Sequence, residues 1–430
     1  MTDPRYLAVK LLDKTFSGGS YSNLQLDSGL KASDLDDRGK KLCSAIYYGV
    51  IERKLTLDHI IGGLSSRPVA KLDSIILNIL RCGIYQIMYM DSVPDNAAVN
   101  ESVALAKKFR KTSASGMVNA VLRNFIRGGK EIKLPKKAIE AMSVKYSAPV
   151  PLVKSLTDDY GADRAEKFLA NSLEKSVTYL RRNALLCNEE EFLGALGNIK
   201  AERLREYCYT AENGDLTATA AFKKGYFHVQ GLASQLCCET LAPDEQDRVL
   251  DICAAPGGKT FTMAELMNGK GEIYAFDLHE KRAELIRKGA ERLRLTNIKA
   301  AAGDATVFNS DLPKFTKILC DVPCSGLGVI GSKPEIKYKD ISDFAGLPDI
   351  QYKIVCNALN YLEKGGTLVY STCTVRRAEN EEVCERLLRE HPELEAVELS
   401  ELMGESFGTM ATLMTPKFGS GFFIAKFRKK

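Results

Sequence analysis

Two cysteines stand in company unusual for a packing residue: Cys324 in "DVPCSG" and Cys373 in "VYSTCTV". Each comes just after an apolar run that reads as a buried strand, "KILCD" and "TLVYS". Cysteine in general behaves as a small buried hydrophobe. These two are instead flanked by proline, serine, threonine and glycine. A thiolate is a strong nucleophile, and one chemistry specifically needs it. Carbon 5 of a pyrimidine attacks poorly until a thiolate adds at carbon 6. The ring is then enamine-like and can take a methyl group from a sulfonium. The 5-proton must leave and the thiolate must be expelled, which calls for an acid near ring nitrogen 3 and a base for the proton. A free thiol titrates near ~8.5, and a neighbouring cation or helix N-terminus lowers that value. Lys259 and the helix starts along the same edge could supply this effect.

Four acids point to the same place. Asp251, Asp277, Asp304 and Asp321 each follow one of four consecutive predicted strands, in "RVLDIC", "GEIYAFD", "IKAAAGD" and "KILCD". A solvated surface does not explain that regularity. After the first strand, "DICAAPGGKT" offers a glycine turn at a helix start, where backbone can approach a ligand closely. It lacks the G-x-G-x-x-G spacing of dinucleotide binders. Asp277, twenty residues after Gly257, suits a ribose diol, and Asp304 suits an adenine amino group. Hydroxyls and a cationic sulfonium match an acidic edge better than phosphates do. S-Adenosylmethionine is therefore favoured over a nucleotide.

The elements that must position these residues read as α/β. From about 246 strands and helices alternate, which implies a doubly wound parallel sheet with its ligand crevice at the carboxyl ends. Two final strands, around "ESFGTMATLMTP" and "GFFIAKF", close the chain. Residues 1–130 read as six or seven helices, with apolar residues at three- and four-residue spacing and breaks at Gly62-Gly63, Pro68, Pro94 and Gly128-Gly129. Residues 131–145 read as a basic linker or short helix. Residues 146–245 read as a small α+β module, with helical "LVKSLTDDYGADRAEKFLANSL" and strands in "SVTYLRRNAL", "LTATAAF" and "GYFHVQ". The expected domains are thus 1–130, 146–245 and 246–430.

Charge is uneven over the 430 residues. Residues 1–140 carry +8 and the remainder −3, and residues 107–137 hold ten basic residues against Glu131 alone. Such a block fits a polyanionic partner or a solvated helix face. The 12 cysteines are scattered without a Cys-x-x-Cys pair among only 4 histidines, so reduced thiols and no zinc site are expected. Charges near the N-terminus argue against a signal peptide, and no run of eighteen apolar residues suggests a membrane span.

In the order "CAAPGGK … FD … GD … DVPCSG … STCT" the chain resembles the RNA cytosine-C5 methyltransferase family. It resembles most the bacterial small-subunit ribosomal RNA branch, whose members carry an N-terminal domain like the antitermination factor NusB. The likeness spans essentially the whole chain. It implies a Rossmann-like methyltransferase domain preceded by an all-α NusB-like domain and a small RNA-binding α+β module. It also implies that Cys373 attacks the base, that Cys324 helps release product, and that Asp321 contacts nitrogen 3. Lys259 is implied beside them. Cofactor contacts implied for S-adenosylmethionine are Cys253, Ala254, Ala255, Pro256, Gly257, Gly258, Lys259, Asp277, Asp304 and Asp321. DNA cytosine methyltransferases use the Pro-Cys thiol instead, so an exchange of the two cysteine roles is the alternative. The chain departs from the family at Gly331-Ser332, where basic residues are common, leaving Lys333 and Lys337 as phosphate contacts. It departs again at Gly231, where an acid is usual.

The function expected is methylation of carbon 5 of a cytosine in small-subunit rRNA through a covalent cysteine adduct. Rivals are the same chemistry on transfer or large-subunit RNA, a non-enzymatic RNA-binding or assembly factor, and a DNA methyltransferase. A cytoplasmic monomer acting on ribosomal RNA, with no membrane and no metal, completes the expectation. Among lesser candidates, His279 reads as a helix cap, Cys253 and Cys320 as packing, Arg181-Arg182 as RNA contact or strand edge, and the "RKK" terminus as disordered.

Overall fold

The computed structural model describes residues 3–18, 22–174, 177–212 and 214–430. Ser176, at the start of the expected strand "SVTYLRRNAL", lies outside them. The chain divides into two compact units: residues 1–173 with 332–339, and residues 174–331 with 340–430.

The first unit is helical. Seven α-helices precede residue 130: Pro4–Gly18, Ser22–Lys31, Asp37–Glu52, Lys54–Leu64, Ser74–Tyr89, Asp95–Lys108 and Ser115–Arg127. Helix Ser74–Tyr89 is the central one. Its Ile76, Ile79, Leu80, Cys82, Ile84 and Ile87 are buried on several faces, and it packs against five of its six companions. Asp73 caps its start by accepting from the backbone of Ile75 and Ile76. Three more helices, Ala138–Tyr146, Val150–Tyr160 and Ala162–Asn171, join this unit. The last two were expected in the α+β module. Their apolar faces (Leu152, Val153, Leu156; Ala165, Phe168, Leu169) pack instead with Ala138–Tyr146, which rests on Lys54–Leu64. Of the ten basic residues in 107–137, four meet acids: Lys108 with Asp3, Lys111 with Asp73, Lys130 with Asp95, Lys137 with Glu140. Lys107, Arg110, Arg123, Arg127, Lys133 and Lys136 are exposed.

Segment 332–339 also belongs to this unit. Its Lys337 is buried, and its Nζ donates to the Glu52 carbonyl at 2.7 Å. Tyr338 donates to the Ile51 carbonyl at 2.8 Å. Both cap the C-terminal end of Asp37–Glu52, where a cation is favoured. Lys337 was expected as a phosphate contact; enclosed among helices, it has no free ammonium to offer one.

The second unit holds two sheets. The smaller is antiparallel, ordered β2 (Ala201–Arg203), β3 (Cys208–Ala211), β1 (Thr178–Arg182), β4 (Phe227–Val229). The expected strand "LTATAAF" is instead a 3-10 turn, Leu216–Ala218, and a short helix, Ala220–Lys223. Asp215 and Thr219 accept from the backbone of Ala218 and Phe222, so caps decide the local structure.

The larger sheet is Rossmann-like. Its strands are β5 (Arg248–Asp251), β6 (Glu272–Asp277), β7 (Ile298–Ala302), β8 (Phe315–Asp321), β9 (Leu362–Thr372), β10 (Leu394–Ala396), β11 (Met410–Leu413) and β12 (Phe422–Lys429). The order is β10-β12-β9-β8-β5-β6-β7, with β11 also on β12. Strands β5 to β9 are mutually parallel, and β12 is antiparallel to β9. The strand order reverses between β5 and β8, the position where open α/β sheets bind ligands. The expected disorder of the terminus is overturned. Arg428 and Lys429 lie in β12, opposite Glu395 and Leu394, and Lys429 Nζ donates to the carbonyls of Leu359 and Leu362.

At the end of β5, Asp251 is fully buried and accepts only from Thr260 Oγ1, at 2.7 Å. Burial pushes its carboxyl from 3.8 to about 7, against the pull of Thr260. The folded chain thus keeps a proton that the unfolded chain loses, and stability falls as pH rises from about 4 to about 7. Thermal melts across that range are expected to show a shallower decline in Tm for Asp251→Asn than for the wild type. Equal slopes would mean that Asp251 is already ionised throughout.

Candidate active site

The carboxyl edge of the large sheet presents one row. In sheet order it runs Asp304 after β7, Asp277 ending β6, Asp251 ending β5, Asp321 ending β8 and Cys373 after β9. Cys324 lies three residues beyond Asp321. Parallel strands put all these groups at one edge because each leaves the sheet in the same direction. Asp277 is nearly buried and Asp304 exposed.

The loop between β5 and the helix Gly258–Leu266 is pinned to its neighbours. Ile252 N–H donates to Leu319 O and Ala254 N–H to Phe276 O. Gly257 has φ +107, and a Cβ there would come within 2.4 Å of the Phe261 ring. Both facts require glycine. Arg282, absent from the sequence-based set, ties this loop to Asp277. Its guanidinium lies 3.0 Å from Asp277 Oδ2 and donates to the Ala255 carbonyl at 2.8 Å. Its place in the first turn of the helix after Asp277, in "DLHEKR", is the signal that could have found it. Beside Asp304 a cavity of ≈ 230 Å³ is walled by Ile252, Phe276, Gly303, Ala305, Phe308 and Tyr361. The Asp304 carboxylate accepts twice from Thr306, which holds it below its ordinary value.

Asp321 is held from two sides. Lys259 Nζ lies 2.7 Å from Oδ2, and Ser371 Oγ donates to Oδ1 at 2.8 Å. Burial opposes the charge on Lys259, but the Asp321 carboxylate outweighs it and keeps the ammonium above its ordinary value. Lys259 was expected to lower the pKa of a site thiol. Its ion-pair partner is Asp321, and the thiols whose charge it would feel are Cys237 and Cys238.

The two cysteines of the opening comparison meet: Cys324 Sγ and Cys373 Sγ are 3.1 Å apart. Both are partly accessible. Their loops are stitched together on either side. Ser325 Oγ meets Thr374 Oγ1 at 2.7 Å, and Gly328 N–H donates to the Cys373 carbonyl at 2.9 Å. Gly421 N–H donates in turn to Gly328 O, and a Cβ on Gly328 would fall 2.0 Å from the Gly421 carbonyl oxygen. The remaining cysteines of the region pack: Cys320 is fully buried, and Cys253 lies against the core beneath the sheet.

Other expectations resolve differently. Arg181 is no RNA contact: it is buried, paired with Glu265 at 2.8 Å, and His228 Nδ1 lies 3.4 Å from the same carboxylate. Arg182 turns inward to the Cys187 carbonyl. His279 occupies the N-cap of Glu280–Leu293 but makes no side-chain capping bond. Among the described residues no group of three or more metal-ligating side chains is assembled, and no helix is long and apolar enough to cross a membrane.

Comparison with known proteins agrees with this geometry. Residues 238–428 match the 16S rRNA methyltransferase RsmB/F family, and residues 2–127 match the NusB family. The chain is 35% identical to the "Probable ribosomal RNA small subunit methyltransferase B" of Bacillus subtilis, over 100% of this chain and 99% of that protein. It is 32% identical to the protein of the same name from Synechocystis, covering 100% of both. Among solved structures, PH0851 superposes with a TM-score of 0.82 at 23% identity, covering 100% of this chain and 99% of that one, a likeness of fold. NSun6 from Pyrococcus horikoshii with SFG, an S-adenosylmethionine analogue, gives a TM-score of 0.60 at 25% identity over 65% of this chain and 98% of that one. With both regions matched in order and a relative aligned from end to end, the chain belongs to the ribosomal RNA small subunit methyltransferase B family and uses S-adenosylmethionine.

Proposed function

We propose that this enzyme methylates carbon 5 of a cytosine in small-subunit ribosomal RNA, with Cys373 adding covalently to carbon 6 and Cys324 serving product release. The observation that carries the reading is the pair of sulfurs 3.1 Å apart at the carboxyl edge of the sheet, in the row with Asp321.

The residues of that edge fit S-adenosylmethionine. Asp277 offers a carboxylate for ribose hydroxyls, and Asp304 stands at an apolar cavity suited to a flat ring. Residues 253–259, with Gly257 and Gly258, let backbone approach the amino-acid end, and Asp321 completes the acidic edge toward the sulfonium. When bound, the cofactor supplies an electrophilic methyl group. The chain supplies the rest. The hydrogen bond with Cys373 and burial both push the Cys324 thiol well above its ordinary range. The two sulfurs share one hydrogen bond at 3.1 Å, so a proton held by Cys324 would leave Cys373 as the attacking sulfur. The choice of Cys373 over Cys324 as nucleophile rests on the likeness of its "STCT" motif to the family's. Attack at carbon 6 moves electron density to carbon 5, while Asp321 faces ring nitrogen 3. After methyl transfer the 5-proton passes to solvent, the electron pair it leaves restores the 5,6 double bond, and the carbon–sulfur bond breaks to release Cys373 as thiolate, with Cys324 beside that bond. Lys259 keeps Asp321 oriented throughout by their ion pair at 2.7 Å.

A cytosine inside a duplex hides these atoms, so the target must lie in a loop or be extruded. The exposed lysines and arginines of residues 107–136 supply phosphate contacts that position RNA without reading sequence, and binding should weaken steeply with salt.

Cys373→Ala is expected to abolish transfer of labelled methyl groups to ribosomal RNA while RNA affinity in gel shifts stays near wild type; ordinary turnover would end the mechanism. Cys324→Ala is expected to accumulate a protein–RNA adduct that survives denaturing electrophoresis. The same adduct from Cys373→Ala would exchange the two roles. Asp277→Ala removes charged hydrogen bonds worth about 1.5–3 kcal/mol, so calorimetry should show affinity for S-adenosylmethionine falling by roughly ten- to a hundred-fold. Unchanged affinity would remove Asp277 from the cofactor site.

A further inference from the structure

Directly after the second cysteine loop, Glu379 and Asn380 are both fully buried, although "RRAENEE" reads as a run of surface charge. Each reaches a different loop. Glu379 Oε2 accepts from Ser325 N–H at 2.8 Å, one residue from Cys324. It also accepts from Gln351 Nε2 at 3.0 Å, and the same Gln351 amide donates to the Pro323 carbonyl at 3.0 Å. Backbone on both sides of Cys324 is thereby fixed. Arg376 neutralises the other carboxylate oxygen at 3.1 Å. Asn380 works on the second loop. Its Oδ1 accepts from Thr372 Oγ1 at 2.6 Å, and its Nδ2 donates to the Thr374 carbonyl at 3.1 Å. Those threonines flank Cys373.

We propose that Glu379 and Asn380 form one buried clamp whose task is to set the spacing of the Cys324 and Cys373 sulfurs. The proposal rests on the reading of those sulfurs given above. Two adjacent residues of one turn hold the two loops, so the backbone between residues 379 and 380 links them in addition to the direct Ser325–Thr374 and Gly328–Cys373 bonds. Neither residue needs to touch the substrate. Both are positioning residues, and their effect appears where the two thiols must cooperate, in expelling Cys373 from the methylated base. A buried carboxylate is required at 379 because its donors are a backbone N–H, an amide and a guanidinium. These converge on one site and need an acceptor with several lone pairs.

The test compares Glu379→Ala, Glu379→Gln and Asn380→Ala with wild type and Cys324→Ala. A misplacement of about 1 Å can cost roughly a hundred-fold. For Glu379→Ala the expectation is a fall in kcat of about ten- to a hundred-fold, with KM for S-adenosylmethionine within about twofold. The covalent protein–RNA adduct should accumulate, as is expected for Cys324→Ala. Glu379→Gln, which keeps one acceptor for Ser325 N–H, should recover part of the loss and guards against a variant that does not fold. A second measurement needs no catalysis. Diamide oxidises two adjacent thiols to a disulfide, its azo bond taking up the two electrons and two protons. Mass spectrometry of the linked peptides should show Cys324–Cys373 coupling in the wild type, slowed at least several-fold in Glu379→Ala and Asn380→Ala. Wild-type coupling rates in these variants would overturn the proposal. So would a loss of kcat that merely tracks the folded fraction without adduct. If Cys324→Ala gives no adduct, the cysteine reading fails while the coupling rates still decide the clamp.

Discussion

The ion pair between Lys259 and Asp321 is the interaction on which the site depends. Four carboxylates share one edge of a parallel sheet, and each lowers the tolerance of that edge for the next. Lys259 enters this row from the start of a helix and meets Asp321 where the strand order reverses. Both partners lie largely out of water, where one charge without the other is costly. Ser371 takes up the remaining Asp321 oxygen, so the carboxylate has a single orientation. That orientation matters because the two loops bearing Cys324 and Cys373 leave the sheet immediately beside it, from β8 and β9.

Around this pair the fold separates rigid and acidic duties. Asp251, at the centre of the sheet, is buried so thoroughly that its carboxyl is pushed up to about 7. Asp277 and Asp304 lie toward the β7 edge, where Arg282 and Thr306 hold them. The acids therefore divide between one enclosed at the centre of the sheet and others held by neighbouring side chains along its edge. The two sulfurs lie close enough to share a single hydrogen bond. Close backbone contact between Gly328, Gly421 and the Cys373 carbonyl leaves the two loops little room to drift apart.

Much of this was legible in the residues. Strands that end in acids, a glycine turn before a helix, and two cysteines among polar residues report chemistry through position, and the parallel sheet keeps position intact. What escaped was decided by long-range partners. Arg181 looked solvated until Glu265, eighty-four residues away, accepted its charge. Glu379 and Asn380 sat in a run of charge that gives no hint of burial. Strands β2 and β3 are too short to announce themselves, three and four residues long, while Asp215 and Thr219 turned an expected strand into helix by capping. Lys337 reads as a free cation, yet its stem and ammonium fill the end of a helix.

The placement of segment 332–339 has a topological consequence. The polypeptide leaves the catalytic unit ten residues after Asp321, contributes eight residues to the helical core, and returns. The N-terminal half is therefore not a severable appendage. Cutting the chain near residue 130 would strip the surroundings from Tyr338 and a buried ammonium while leaving that strap attached to the loop after "PCSG". A fragment that began downstream would carry a stretch selected for an apolar interior it no longer has.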